Sequence, residues 1–316
     1  MRCVLTKSEY HRYGKPHSMS RLERGKERAK AMFVVTGASG KLGQFVVEGL
    51  LKKVPADQVA VAVRNPDKAK AWAARGVQVR QVDYDRPETL SGAFGKGDTV
   101  LLISANEVGK RFPQHSAVIE AAKKAGVKLL AYTSILFADR SGLSLAGEHK
   151  ATEEALRASG IPYVFLRNGW YVENYTEHVG PALQYGVVQG SAKEGRVATA
   201  TRQEYADAAV AVLTGTGHEN QVYELAGDAS FTLPEYVAEL SRQSGKPVKY
   251  VDLPVAEFSA ALQQVGVPKP FADTLADADA GLSRGELNDT SRTLSRLIGR
   301  PTAPFGSAIG AALKQG

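Results

Sequence analysis

The chain has 316 residues, one cysteine and a formal net charge of +7. That length suits one large domain or a close pair and can bury roughly 75% of the surface that the unfolded chain exposes. A hydrophobic content of 43%, with 31 glycines and 14 prolines, excludes collagen, coiled coil and a mainly disordered chain. The longest apolar run, 129–138, is about half a membrane span, so no transmembrane segment is predicted. Cys3 alone can form neither an internal disulfide nor a cysteine-based metal cluster, and no metal is predicted. A reducing, cytoplasmic compartment fits that cysteine usage.

The charge divides unevenly. Residues 1–31 hold nine Lys/Arg against three glutamates, a net +6, while 32–316 carries only +1. This leading segment has few large apolar residues and no hydrophobic period, so it reads as a flexible basic extension, an upstream start or a dispensable leader before Met32. It lacks the apolar stretch of a secretory signal. Without a basic surface on the body, no nucleic-acid partner is predicted.

From Met32 onward, β-rich runs at 33–36, 58–63, 77–82, 99–104, 128–134 and 162–166 alternate with helix-like segments at 41–53, 66–74, 87–94, 112–125 and 148–159. The spacing of Phe112, Val118, Ile119 and Ala122 predicts one buried stripe on the helix 112–125. Continuous apolar strands separated by helices define an α/β fold with a doubly wound, Rossmann-like parallel sheet, here over 32–167. Beyond 168 the alternation loosens. Helices are predicted at 203–214, 232–243, 254–263, 271–280 and 305–314, and strands near 197–200, 221–225 and 247–252. Residues 168–316 therefore read as a smaller α+β part that binds substrate and returns some elements to the Rossmann body.

The strongest chemical signal is VVTGASGKLG at 34–43. A strand runs straight into Gly37, Gly40 and Gly43, and a helix follows. Gly37 permits the tight turn, Gly40 lets backbone approach a pyrophosphate, and Gly43 lets the helix pack closely. The helix N-terminus then offers free N–H groups and a partial positive charge to phosphates. The position at the first strand–helix junction of an alternating chain gives this motif its weight. The second strand ends in VAVRNP, with Arg64 where a cofactor bearing a free ribose 2′-hydroxyl would meet an acid. Arginine's fork matches a 2′-phosphate, which favours NADPH. Asp83 or Tyr84 is placed to flank the adenine, and Asp85 to cap a helix at 87.

These motifs resemble the short-chain dehydrogenase/reductase superfamily. Its usual Tyr-x-x-x-Lys pair is missing: Lys150 follows Ala146, not a tyrosine, although Ser134 ends the fifth strand. Reducing an ordinary ketone creates a basic alkoxide that needs an acid at once. A quinone or an iminium-like cation gives a stabilised product and demands only positioning.

With TGASGKLG, VRNP, AGEHKATEEALRASGIPYVFLRNGWYVENY and YELAGD, residues 32–316 look like type 2 NADPH:quinone oxidoreductases of the NmrA-like, atypical short-chain group. The resemblance implies flavin-free, NADPH-dependent reduction of quinones to hydroquinones. It implies that Gly37, Ala38, Ser39, Gly40, Lys41 and Leu42 hold the phosphates and Arg64 the 2′-phosphate. Ser104, Ala105 and Asn106 would run beside the cofactor ribose. Asn168, Gly169, Trp170, Tyr171, Val172 and Glu173 would wall the nicotinamide, and Arg196 would add a further contact. Tyr171, Asn174 and His149 are the candidates for positioning substrate, and Trp170, Tyr171 and Tyr175 can either line a flat pocket or belong to the core. Reduction of triphenylmethane-type dyes and non-catalytic cofactor sensing, as in NmrA, are the other readings. The expected partners are a small-molecule quinone and, as one arrangement, a second copy of the chain.

Overall fold

A computed structural model describes residues 31–314; residues 1–30, which hold almost all of the basic extension, and 315–316 lie outside the described residues. In chain order the first half comprises β1 (Phe33–Thr36), α1 (Lys41–Leu51), β2 (Val59–Val63), α2 (Lys70–Ala73), β3 (Gln78–Gln81), β4 (Thr99–Leu102), α3 (Arg111–Ala125), β5 (Leu129–Ile135), α4 (Ala146–Ser159) and β6 (Tyr163–Asn168). There follow α5 (Glu173–Thr176), α6 (Val179–Tyr185), β7 (Val187–Gly190), β8 (Arg196–Val197), α7 (Arg202–Thr214), β9 (Gln221–Leu225) and β10 (Phe231–Thr232). The chain closes with α8 (Leu233–Ser244), β11 (Lys249–Asp252), α9 (Val255–Gln264), α10 (Lys269–Ser283), α11 (Thr293–Ile298) and α12 (Phe305–Leu313).

Seven strands form one parallel sheet in the order β3-β2-β1-β4-β5-β6-β9. β2 (VAVAV) and β5 are buried along their whole length, as β-branched and apolar strands covered on both faces should be. On one face lie α1 and α7, meshing through Val46, Val47, Leu50, Val210 and Leu213. On the other lie α3 and α4, with Val118, Ile119 and Leu156 against Tyr132 and Phe165. Strand order reverses between β1 and β4, and at that switch a crevice opens beyond the carboxyl ends of the strands. Gly126 (φ +71°) and Gly160 (φ +78°) end α3 and α4 in the left-handed conformation.

The C-terminal elements pair β7 with β11 and β8 with β10 around a third apolar cluster of Ile135, Val179, Phe231, Tyr236, Leu240 and Ile309. α7 and β9, though late in sequence, belong to the main sheet and its cover. Several expectations are corrected. The segment 66–74 divides into a 3-10 turn, Pro66–Ala69, and the short α2. At 87–94 only a 3-10 turn over Pro87–Leu90 forms, because Ser91 already turns extended at ψ 117° and Gly92 follows at φ +78°. Phe112 is 40% exposed instead of lying on the buried stripe.

Candidate active site

The crevice at the switch point is a cleft of about 800 Å³. Its floor is the glycine loop. Gly37 sits at φ +61° and its carbonyl accepts from Gly40 N–H at 3.0 Å, which closes the turn. Gly40 is the N-cap of α1 and brings no capping side chain, and the first turn of α1 has no acid, so its N–H groups face the cleft unanswered. A Cβ on Gly43 would stand 2.5 Å from Gly37 O and 2.7 Å from Ala38 Cα, so α1 lies on the loop's own backbone. Lys41 crosses to Glu177 (2.6 Å). Burial raises the Glu177 carboxyl, but Lys41 and Arg202 outweigh it and hold it below the usual range.

At the end of β2, Arg64 is largely exposed and leans on Glu107 at 3.5 Å. Asn65 accepts from Asp67 N–H, fixing the turn that carries Lys68 to the cleft wall. Asp83, Tyr84 and Asp85 follow β3. Burial pushes the Tyr84 phenol up to about 12. Asp85 caps no helix; it accepts from Gln114 Nε2 at 2.9 Å, and Arg86 stands at the cap position.

The other half of the cleft lies beyond β4, β5 and β6. The backbone N–H of Ser104 donates to Thr133 Oγ1 (2.9 Å) and that of Ala105 to His115 Nε2 (3.0 Å). Ser134 lines the cleft, but its hydroxyl donates to Glu153 at 2.7 Å. Glu153 is held in turn by a buried ion pair with Arg167 at 2.7 Å. On α4, Ala146, His149 and Glu153 face inward and Lys150 is exposed, so His149 reaches the cleft and Lys150 does not. His149 Nδ1 lies 2.7 Å from the Tyr132 hydroxyl.

The far wall is Asn168, Gly169, Trp170, Tyr171 and Asn174. Arg202 ties it together: it pairs with Glu177 (2.7 Å), donates to Asn174 Oδ1 (3.2 Å) and lies 4.9 Å over the Tyr171 ring. Burial raises the Tyr171 phenol above its ordinary value.

Of the residues singled out from sequence, Gly37, Ser39, Gly40, Lys41, Leu42, Arg64, Ser104, Ala105, Asn106, His149, Asn168, Gly169, Trp170, Tyr171 and Asn174 line this one cleft. Ala38 and Val172 are buried outside the lining, and Glu173 lies behind it, where it accepts from the backbone N–H of Arg202. Arg196 stands outside the cleft lining. It is held by Ser230 and Glu235, because β8 pairs with β10 and carries it into the C-terminal part. Tyr175 packs against Phe231 and Tyr236 in the third cluster. Sequence reasoning missed Arg111, Gln114, Thr133 and Arg202. None sits in a spaced motif, and a position in the first turn of a helix after a cofactor loop is the only signal that could have pointed to Arg111 and Gln114.

The donor set fits a pyridine dinucleotide. The loop and helix N-terminus suit a pyrophosphate, and Arg64 with Lys68 a further phosphate. Arg111 Nη1, Gln114 Oε1 and Asn168 Oδ1, all on lining residues, are covered and without a hydrogen-bond partner. Such atoms are rare in a finished interior and mark a surface that a ligand completes.

A doubly wound sheet, a glycine loop at its switch point and this cleft define a dinucleotide-binding protein, and the chain belongs to the NAD(P)H-binding family, whose model matches residues 37–216. Among curated proteins it is 53% identical to quinone oxidoreductase 2 of Escherichia coli K12, over 88% of this chain and 97% of that one. The crystal structure of the E. coli NADPH-dependent quinone oxidoreductase QOR2 in complex with NADPH superposes with a TM-score of 0.87 at 52% identity, covering 89% of this chain and all of that one. Triphenylmethane reductase of Citrobacter sp. in complex with NADP(H) gives 0.85 at 41% identity, over 89% and 99%.

Proposed function

We propose that the chain is a flavin-free, NADPH-dependent reductase of quinones. The observation that carries this reading is the reaction end of the cleft: Ala146 is buried where the superfamily's tyrosine would stand, and Lys150 is exposed. That end therefore offers no phenol–lysine acid and suits an acceptor whose reduced form is already stabilised. The bound cofactor supplies a hydride. The chain's own residues hold and orient: Gly37, Ser39, Gly40, Lys41 and Leu42 at the pyrophosphate, Arg64 at the 2′-phosphate, Ser104 to Asn106 at the ribose. Asn168 to Tyr171 flank the nicotinamide, and Tyr171 and Asn174 the acceptor. The 53% identity to a quinone oxidoreductase supports the same reading.

The test is NADPH oxidation by purified, flavin-free protein with menadione or benzoquinone. Turnover that prefers NADPH to NADH is expected, and no consumption with any quinone overturns the reading. A second reading, reduction of triphenylmethane dyes, is favoured by the 41% identical Citrobacter enzyme, and the same assay with a dye separates the two. On the quinone reading the protein works in the cytoplasm without nucleic acid, alone or as a homodimer. Sedimentation of the full chain, with and without DNA, tests the last two points. Among the described residues no helix is long and apolar enough to cross a membrane.

A further inference from the structure

Behind the cleft wall, β5, α3 and α4 bury a chain of polar groups that the cofactor reading leaves unused. His115 Nε2 accepts the Ala105 backbone N–H at 3.0 Å, so its proton must sit on Nδ1. From there it donates to Thr152 Oγ1 at 3.0 Å, and Thr152 passes its own hydrogen to the Glu148 carbonyl at 2.8 Å. The Tyr132 hydroxyl lies 3.4 Å from that same N–H side of His115 and 2.7 Å from His149 Nδ1. Thr152 and Ser104 also stand within hydrogen-bond reach of that hydroxyl. With Tyr132 donating to His149, Nδ1 of His149 accepts and its proton sits on Nε2, and that histidine lines the cleft.

Burial, then the nearby charge of Arg111, pushes His115 down to about 3 and His149 well below its ordinary value, so both rings are neutral. Arg111 also lines the cleft. Its Nε donates to the Ala105 carbonyl at 2.7 Å and its Nη1 is covered without a partner. It pairs with no carboxylate among the described residues. Glu148, whose charge reaches it, instead accepts from the backbone N–H groups of Gly109 (2.9 Å) and Phe112 (3.4 Å). A half-buried guanidinium with no carboxylate in direct contact, beside a neutral N–H donor, is an environment that favours negative charge.

We propose that His149 Nε2–H and Arg111 form a donor pair for the oxygen on which negative charge develops during reduction, and that the pair selects neutral or anionic carbonyl acceptors over cationic ones. This rests on the reductase reading. The acceptor gains a hydride with its electron pair from the reduced nicotinamide. Its remaining oxygen is left anionic, and water supplies the proton that completes the hydroquinone. His149 lends a hydrogen bond and keeps its proton, so the pair does for charge what the missing tyrosine does by proton transfer.

The test compares Arg111→Met and Arg111→Lys, and His149→Leu and His149→Gln, whose amide nitrogen can stand near Nε2. The acceptors are menadione (neutral), 1,4-naphthoquinone-2-sulfonate (anionic) and malachite green (cationic). R111M is expected to lower kcat/KM for the sulfonate on the order of 100-fold, with menadione less affected and the dye unaffected or improved, and R111K to recover most of the loss. H149L should lower kcat for both quinones more than it raises KM, with H149Q partly rescuing. NADPH affinity should stay within about twofold of wild type in the His149 variants, and in R111M any loss of NADPH affinity should fall well short of the loss of sulfonate turnover. An unchanged sulfonate-to-dye preference in R111M, or a loss of NADPH affinity matching the loss of turnover, overturns the proposal. A second readout needs no turnover. Nitrogen-15 NMR of the NADPH-free protein should find His149 neutral and protonated on Nε2 at about pH 5, with a shift on adding the sulfonate that R111M abolishes. If wild type reduces no acceptor, the reductase reading falls by itself. The sulfonate titration still decides the donor pair: binding lost in R111M supports it, and binding unchanged, or His149 protonated on Nδ1, overturns it.

Discussion

Adding one methyl group to the glycine loop should separate folding from cofactor binding. In Gly43→Ala the new Cβ would lie 2.5 Å from Gly37 O, 2.7 Å from Ala38 Cα and 2.8 Å from Ala38 C. Carbon contacts are comfortable at about 3.5–4.0 Å, so the overlap approaches an ångström, and every atom it meets is backbone. Nothing can swing aside, and α1 cannot retreat, because Val46, Val47 and Leu50 are fully buried and Gly49 lies against Val210. Overpacking of this kind costs about 3 kcal/mol. In a body of this size that lowers Tm by about 5 °C. Gly40→Ala is the control: its Cβ meets only Gly37 O at 3.2 Å, and φ −77° suits any residue. Its Tm should stay within about 1 °C of wild type. The methyl would nonetheless stand at the open N-terminus of α1, so NADPH affinity should fall about tenfold or more. Thermal melts without cofactor, followed by NADPH titration of tryptophan fluorescence, read both variants. A Gly43→Ala protein that melts like wild type, or a Gly40→Ala protein that loses as much Tm as Gly43→Ala, would refute the reasoning.

Arg64→Ala should weaken NADPH about 10- to 30-fold, the worth of one exposed charge-assisted contact, and leave NADH unchanged; a calorimetric titration with each cofactor decides. On α10, burial raises the Asp279 carboxyl from 3.8 to about 6, against the pull of the Ser191 N–H. The folded state therefore binds the proton more tightly than the unfolded one, and the stability this confers is full below about 3.8 and lost as pH rises through about 6. Asp279→Asn should be more stable than wild type at pH 7.5 by up to about 3 kcal/mol and should flatten the pH 4–6 slope in urea melts. Tyr132→Phe removes the hydrogen bond at His149 Nδ1; a stability loss of about 1 kcal/mol and a roughly tenfold lower kcat with menadione are expected, and an unchanged kcat would sever His149 from the reaction.

Five of the six runs of the first half were legible because β1, β2, β4, β5 and β6 are buried along nearly their whole length, so hydrophobicity alone marks them; the edge strand β3 is partly exposed and has no fully buried residue. Length and breakers explain the misses. β8 and β10 have two residues each, α5 has four, and 173–190 folds α5, α6 and β7 too briefly for any period to show. Strand pairing was equally invisible: only the β8–β10 pairing shows where Arg196 points. In the cleft, the glycines, Arg64 and the 168–171 wall announced themselves through motif and resemblance. Tyr132 did not, since a tyrosine inside an apolar strand reads as core, and its partners His115 and His149 each lie 17 residues away on different helices.

The register of α4 ties the two halves of the argument together. A Tyr-x-x-x-Lys pair works when residues four apart share the face turned to the cofactor. Here Ala146, His149 and Glu153 are buried and Lys150 is exposed, so the inward stripe passes through 149 instead of 150. The two polar inward positions are also spoken for from below: His149 by Tyr132, Glu153 by Ser134 and Arg167. Restoring a tyrosine at 146 would therefore meet no lysine, and its bulk would enter an apolar cluster with Ile135, Val179 and Leu282. The absence of the pair is built into the packing of the helix.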